Sequence, residues 1–256
     1  MFKAVVSDLD GTLLNAEHKV SEFTRETVEL LLKKGIKFYI ATGRNYLGAK
    51  EAMDELGVKV PLITSHGSVA FDENGNEIFS NNLKREYLDK VLDIDYKSFG
   101  KDIIITGYSG PNWFVTEDLQ EYFYNKKPDR TRYPKQITPE EFKKHNFTKI
   151  FFLGEDHDEL LELENEIRKA VGDGNISLLF ANEGSLEVFS ANCNKAKAAE
   201  VLLERDGLTL KDAVSFGDGL NDYELITETG LGFAMGNSIY LLLEKLTDTE
   251  VIESNA

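Results

Sequence analysis

Asp8-Leu9-Asp10-Gly11-Thr12 sets two carboxylates two residues apart, directly after a short apolar run over residues 2–6. On an extended strand, positions i and i+2 share a face, so both side chains can be aimed into one pocket. Like charges a few ångströms apart resist joint ionisation. Either a cation neutralises the pair, or one carboxyl keeps a proton for acid–base work. A surface turn that uses Asp and Gly for ordinary turn reasons is the alternative without chemistry.

A second acidic cluster, Gly217-Asp218-Gly219-Leu220-Asn221-Asp222, follows the apolar residues 213–216 and precedes a helical pattern over 223–229. Asp218 falls at a strand end and Asp222 about one helical turn later. Hard oxygen donors of this kind suit Mg²⁺, which binds through one or two carboxylates plus substrate phosphate. Taken singly, the stretch also reads as a helix cap; together with Asp8 and Asp10 it reads as a metal site.

Two smaller signals lie between the clusters. Residues 36–41 read as a strand running into Thr42-Gly43-Arg44, before a helical pattern over 45–56. A hydroxyl and unpaired backbone N–H groups at a helix start form an anion cradle, although Thr42 also reads as an N-cap. Lys195, after Asn192-Cys193-Asn194, opens a helix over 196–205. A lysine in the first turn opposes the helix dipole, so a phosphate or a carboxylate cluster nearby would compensate it; a solvated surface lysine is the other reading.

These four stretches, in this order, resemble the motifs of the haloacid dehalogenase (HAD) superfamily. The similarity is to its Cof-type phosphatase branch, supported by Ser7 to Leu14 and by Ala234-Met235-Gly236-Asn237-Ser238. The resemblance implies an α/β fold: a Rossmann-like core with a parallel sheet, plus an inserted α+β cap domain of the C2 type. It implies Asp8 as nucleophile on phosphorus, forming an aspartyl-phosphate, and Asp10 as the acid and then the base. Mg²⁺ would be held by the Asp8 carboxylate, the Asp10 backbone carbonyl and the Asp218 side chain. Thr42, Lys195 and Asn221 would bind phosphoryl oxygens, with backbone N–H groups near Leu9 and Gly43. Asp222 would orient Lys195 or a metal-bound water.

One departure from the branch is legible. After the strand over 61–64 the branch carries Asn-Gly, whereas this chain has His66-Gly67. Histidine, like asparagine, is enriched at positive φ, so the turn can persist while a contact of the amide is altered.

At 256 residues the chain can bury a sizeable core in one or two domains. No run approaches the ~20 apolar residues that span a membrane, and no secretory signal is visible at the N-terminus. The single cysteine, Cys193, excludes an internal disulfide, and a cytoplasmic location is expected. A net charge of −16 argues against nucleic-acid binding. The expected partner is a small phosphorylated metabolite, with no nucleic acid and no membrane, and the chain a monomer or homodimer. One basic segment, residues 126–135, carries Lys126, Lys127, Arg130, Arg132 and Lys135 against a lone acid, Asp129. It reads as a solvated loop or as a feature that attracts an anionic substrate.

Alternating strands and helices run to about residue 65, followed by a hairpin over 69–80. A change of texture then suggests the division 1–81 core, 82–184 cap for substrate specificity, 185–256 core, with hinges near Asn81-Asn82 and Glu183-Gly184. The inserted stretch is expected to include helices over 85–93, 118–124, 139–144 and 158–171. The function expected is Mg²⁺-dependent hydrolysis of small phosphomonoesters, sugar phosphates foremost. The rivals are a phosphomutase of the phosphomannomutase type and a non-catalytic phosphometabolite-binding protein.

Overall fold

The structure, a computed structural model, describes residues 2–110, 112–117, 134–247 and 249–255. Two compact units emerge, one of residues 1–80 with 193–256 and one of residues 81–192.

The first unit is built on β1 (Ala4–Ser7), β2 (Lys37–Ala41), β3 (Leu62–Thr64), β4 (Val69–Phe71), β5 (Glu77–Ser80), β12 (Ala213–Gly217), β13 (Leu231–Met235) and β14 (Glu250–Ile252). They form one sheet in the order β14-β13-β12-β1-β2-β3-β4-β5. Pairing is parallel from β14 to β3 and antiparallel for β3–β4 and β4–β5. The fold is therefore α/β with a mostly parallel sheet. Its helices are α1 (Glu22–Lys33), α2 (Tyr46–Leu56), α6 (Lys195–Arg205), α7 (Tyr223–Glu228) and α8 (Tyr240–Lys245).

Both faces of this sheet are covered, which is why its central strands read as continuous apolar runs. Along β2, Phe38 and Ile40 pack with Val28 of α1 and Ala49, Met53 and Leu56 of α2. The alternate residues Tyr39 and Ala41 pack on the other face with Ala199, Leu202 and Leu203 of α6 and Leu225 of α7. Helix starts follow local capping rules: the Ser21 hydroxyl accepts from the Thr24 N–H, and Asn45 Oδ1 from the Gly48 N–H. Asn45, not Thr42, is thus the cap of α2.

The second unit holds β6 (Ile104–Ser109), β7 (Asn112–Val115), β8 (Lys135–Gln136), β9 (Lys149–Leu153), β10 (Ile176–Asn182) and β11 (Ser185–Ser190). Their order is β10-β11-β9-β6-β7-β8, antiparallel except for β7–β8. Helices α3 (Arg85–Leu92), α4 (Pro139–Phe142) and α5 (His157–Val171) supply Leu88, Val91, Phe142, Leu160, Leu163 and Ile167. These pack with Ile105, Ile150, Phe152, Leu186 and Val188 of the sheet.

Residues 185–190 depart from expectation here. They do not lead back to the first unit; as β11 they pair with both β10 and β9. Asn182-Glu183-Gly184 is the turn of that hairpin, tied by Asn182 Oδ1 accepting from the Gly184 N–H. The second change of unit accordingly falls between Asn192 and Cys193, not at 184. The helix expected over 118–124 and most of the basic segment 126–135 lie outside the described residues; Lys135 opens β8. Among the described residues no helix is long and apolar enough to cross a membrane.

Candidate active site

Parallel sheets gather function at the carboxyl ends of their strands. Asp8 follows β1, Thr42 follows β2, the turn 65–67 follows β3, and Asp218 follows β12. These are four neighbouring strands, so residues far apart in the chain meet at one edge.

Asp8 is buried, and its N–H donates to the Phe216 carbonyl at 3.0 Å. Lys195, the first residue of α6, is fully buried. Its Nζ donates to Asp8 Oδ1 and to Asp222 Oδ1, each at 2.5 Å. The second oxygen of Asp222 accepts from the backbone N–H groups of Asp218 (3.1 Å) and Gly219 (3.0 Å). Asp222 therefore orients Lys195 and pins the loop carrying Asp218. The Asp218 carboxylate accepts in turn from the Thr12 hydroxyl at 3.1 Å. Glycine at 11 is required by this approach: its φ is +74°, and a Cβ there would lie 2.3 Å from Asp218 Oδ2.

One carboxylate oxygen each from Asp8, Asp218 and Asp222 lies within 4.8 Å of the others. Three carboxylates against one ammonium leave two negative charges uncompensated. Burial, then the Asp222 and Asp218 charges, holds the Asp8 carboxyl well above the usual carboxylate range, with Lys195 opposing. Asp218 is raised by burial and by Asp222. Burial works against the Lys195 charge, yet Asp222 and Asp8 outweigh it and push its pKa up. An all-oxygen donor set with unbalanced negative charge fits a hard divalent cation such as Mg²⁺.

Asp10 stands apart from this cluster. Arg44 grips its carboxylate with both arms, Nε to Oδ2 at 2.7 Å and Nη2 to Oδ1 at 2.5 Å. The Asp10 side chain is 43% exposed, against 7% for Asp8. Asp10 thus adds no carboxylate to the cluster, and its expected metal contact is through the main chain only.

The remaining candidates line the next loops. Thr42 is buried, and its hydroxyl accepts from the Arg44 N–H at 3.1 Å, which leaves the hydroxyl hydrogen available to an acceptor. A Cβ at Gly43 would lie 2.4 Å from His66 Cε1, so only glycine fits. The Asn221 side-chain nitrogen is 3.0 Å from His66 Nδ1. Leu9 sends its side chain into the core beside Leu13 and Ile40, so only its backbone is open to an anion.

Three residues with structural parts here had no role assigned from sequence: Arg44, Thr12 and Asn237. Asn237 Nδ2 donates to the Gly11 carbonyl at 2.8 Å. Each sat inside a recognisable stretch, but its partner is 34, 206 or 226 positions away. No local spacing signals such pairs.

Gly67 links the site to α6. Its φ is +95°, and a Cβ would lie 2.2 Å from the Asn194 carbonyl oxygen, one residue before Lys195. Gly67→Ala is expected to lose about 2–3 kcal/mol of stability, the range for forcing a side chain into a left-handed backbone against a fixed neighbour. Urea denaturation measures this; an unchanged midpoint refutes it.

A buried carboxylate–lysine–carboxylate cluster at the carboxyl edge of a mostly parallel sheet defines an α/β protein with an acidic site that could hold a hard cation. A family model for haloacid dehalogenase-like hydrolases matches residues 5–256, and the chain belongs to that family. A protein from Buchnera aphidicola subsp. Baizongia pistaciae, named as a phosphatase, is 36% identical over 100% of this chain and 94% of its own length. An HMP-PP phosphatase from Enterobacter sp. (strain 638) is 31% identical over 98% of this chain and 90% of its own. A solved structure from Thermotoga maritima shares the fold, with a TM-score of 0.81 at 23% identity over 100% of this chain and 93% of that one.

Proposed function

We propose that this HAD-family phosphatase hydrolyses small phosphorylated metabolites through a phosphorylated Asp8, with Mg²⁺ as its metal. The observation that carries the reading is Lys195, fully buried between Asp8 and Asp222 with Asp218 alongside. Such a cluster is unfavourable as mere structure, because burying charges exceeds what pairing returns; it is useful where a phosphoryl group must be held and neutralised.

In the proposed reaction an Asp8 oxygen attacks phosphorus as the P–O ester bond breaks. Asp10, in its protonated form, gives a proton to the departing alkoxide and is left as the carboxylate that Arg44 grips. Asp10 then takes a proton from water, whose oxygen attacks phosphorus and breaks the Asp8 acyl-phosphate bond, releasing phosphate. Lys195, Thr42 and Asn221 stabilise the phosphoryl oxygens, with the N–H groups of Leu9 and Gly43. Asp222 keeps Lys195 charged and aimed, and Arg44 sets the direction of the Asp10 carboxylate. Mg²⁺, held by the Asp8 and Asp218 carboxylates and the Asp10 carbonyl, supplies charge neutralisation when bound. The inserted unit, residues 81–192, is read as the cap that selects the leaving group, and the enzyme is placed in the cytoplasm.

Sugar phosphates are the first substrate class to test, and the relatives named for HMP-PP make that compound the second. Phosphate release is measured across sugar phosphates, nucleotides, cofactor phosphates and HMP-PP, with Mg²⁺ and with EDTA. Turnover that depends on Mg²⁺ is expected for at least one small metabolite. Silence across the panel would sink the reading.

Metal binding is expected to show without turnover. Mg²⁺ at about 100 times its Kd should stabilise the protein by about 2.7 kcal/mol, seen as a higher melting temperature. Asp218→Asn should lose most of that increment while folding normally in EDTA. Equal increments in both proteins would remove Asp218 from the metal site.

A further inference from the structure

His66 occupies an unusual place. Ser65, His66 and Gly67 have successive φ values of +49°, +58° and +95°. Among the described residues only one other non-glycine, His18, has positive φ. Left-handed backbone at non-glycine residues is disfavoured by about 1–3 kcal/mol and persists where surrounding structure over-determines it.

Here the surroundings do so. The Ser65 N–H donates to the Arg44 carbonyl at 2.8 Å, and the His66 N–H to the Thr42 carbonyl at 3.1 Å. The turn after β3 is thereby bolted to the Thr42-Gly43-Arg44 loop after β2. The imidazole then closes on Gly43: Cε1, Nε2 and Nδ1 stand 2.4, 2.9 and 3.0 Å from where a Cβ would be. Nδ1 of the same ring also meets the Asn221 amide nitrogen at 3.0 Å. An amide nitrogen can only donate, so in this contact Nδ1 is the acceptor.

We infer that His66 is a positioning residue for phosphoryl binding, one that fixes the Asn221 amide in its anion-donating orientation. An Asn amide presents a donor edge and an acceptor edge of nearly equal shape. The Nδ1 lone pair accepts the nitrogen and repels the oxygen, so it selects one of the two orientations. One N–H of Asn221 is then held by His66, and its second N–H is the donor left for a phosphoryl oxygen. The inference rests on the phosphatase reading for placing an anion at Asn221.

The test is a double-mutant cycle in two readouts, the Kd for inorganic phosphate in the presence of Mg²⁺ and the KM of the best substrate. His66→Ala and Asn221→Ala should each weaken phosphate binding about tenfold, the effect of losing one well-placed donor to a charged acceptor. The double variant should weaken it about tenfold as well, not about a hundredfold, because both changes disable the same amide. His66→Gly relieves the left-handed backbone while removing the ring, so it separates folding from alignment; its phosphate affinity should match that of His66→Ala. His66→Asn, which tolerates this backbone and offers an acceptor oxygen, should stay within about threefold of wild type. Additive losses, or wild-type affinity in His66→Gly, overturn the inference. Absence of turnover in the wild type would instead count against the phosphatase reading, since the phosphate Kd is read independently of it.

Discussion

Asp8→Asn lowers phosphate release by at least about 10⁴-fold, the scale on which removal of a covalent nucleophile acts. The amide has the size and shape of the carboxylate and keeps an oxygen for Lys195, so the cluster of Lys195, Asp222 and Asp218 stays in place. What it lacks is the ability to attack phosphorus. The same change is expected to leave metal-free stability equal to or above wild type. Burial and two neighbouring carboxylates already press Asp8 toward its neutral form, and a neutral side chain relieves that strain. Loss of function with gain of stability is the signature of a residue kept for chemistry. The measurements are burst-corrected phosphate release and melting temperature in EDTA. A variant that retains a tenth of wild-type activity would exclude Asp8 as the nucleophile, and one that melts well below wild type would overturn the stability expectation.

The second large effect is on stability. Lys195→Met removes the ammonium that serves both Asp8 and Asp222, and leaves three carboxylates facing one another without a cation. Breaking a buried pair from one side costs about 3–5 kcal/mol, and here two pairs break at once. In EDTA the variant should therefore lose at least about 3 kcal/mol in urea denaturation. Mg²⁺ should restore part of this, because it neutralises the same carboxylates. Turnover should fall by about 10²–10³-fold even with Mg²⁺ saturating, the range for losing one electrostatic stabiliser of a developing charge. If the variant is as stable as wild type in EDTA, the buried ammonium is not what holds the cluster together.

Much of the site is legible in the chain because local rules govern it. A strand that ends in a carboxylate beside a glycine is a local pattern, and Asp8 and Asp218 were located by it. The start of the helix at Lys195 also follows from a short-range preference, the Asn194 side chain accepting from the Lys197 N–H, whereas the left-handed turn at Ser65 and His66 is held by its bonds to the loop after β2. The allegiance of residues 185–190 was not legible: apolar alternation marks a strand, but not which sheet takes it. Pairing with β9 and β10 placed it in the second unit.

By itself the sequence determined which residue types stand at the ends of β1, β2, β3 and β12 and at the start of α6, and hence the chemistry available: carboxylates, a lysine, a threonine and glycine turns. The tertiary structure decided who pairs with whom. Lys195 reaches Asp8 across 187 positions and Thr12 reaches Asp218 across 206. Arg44, not the cluster of Asp8, Asp218 and Asp222, holds Asp10, and His66 takes Asn221. The physical reason is that propensity and periodicity act over a few residues, whereas these contacts are set by strand order. Placing β12, β1, β2 and β3 side by side brings four distant loops to one edge, and no local pattern along the chain encodes that adjacency.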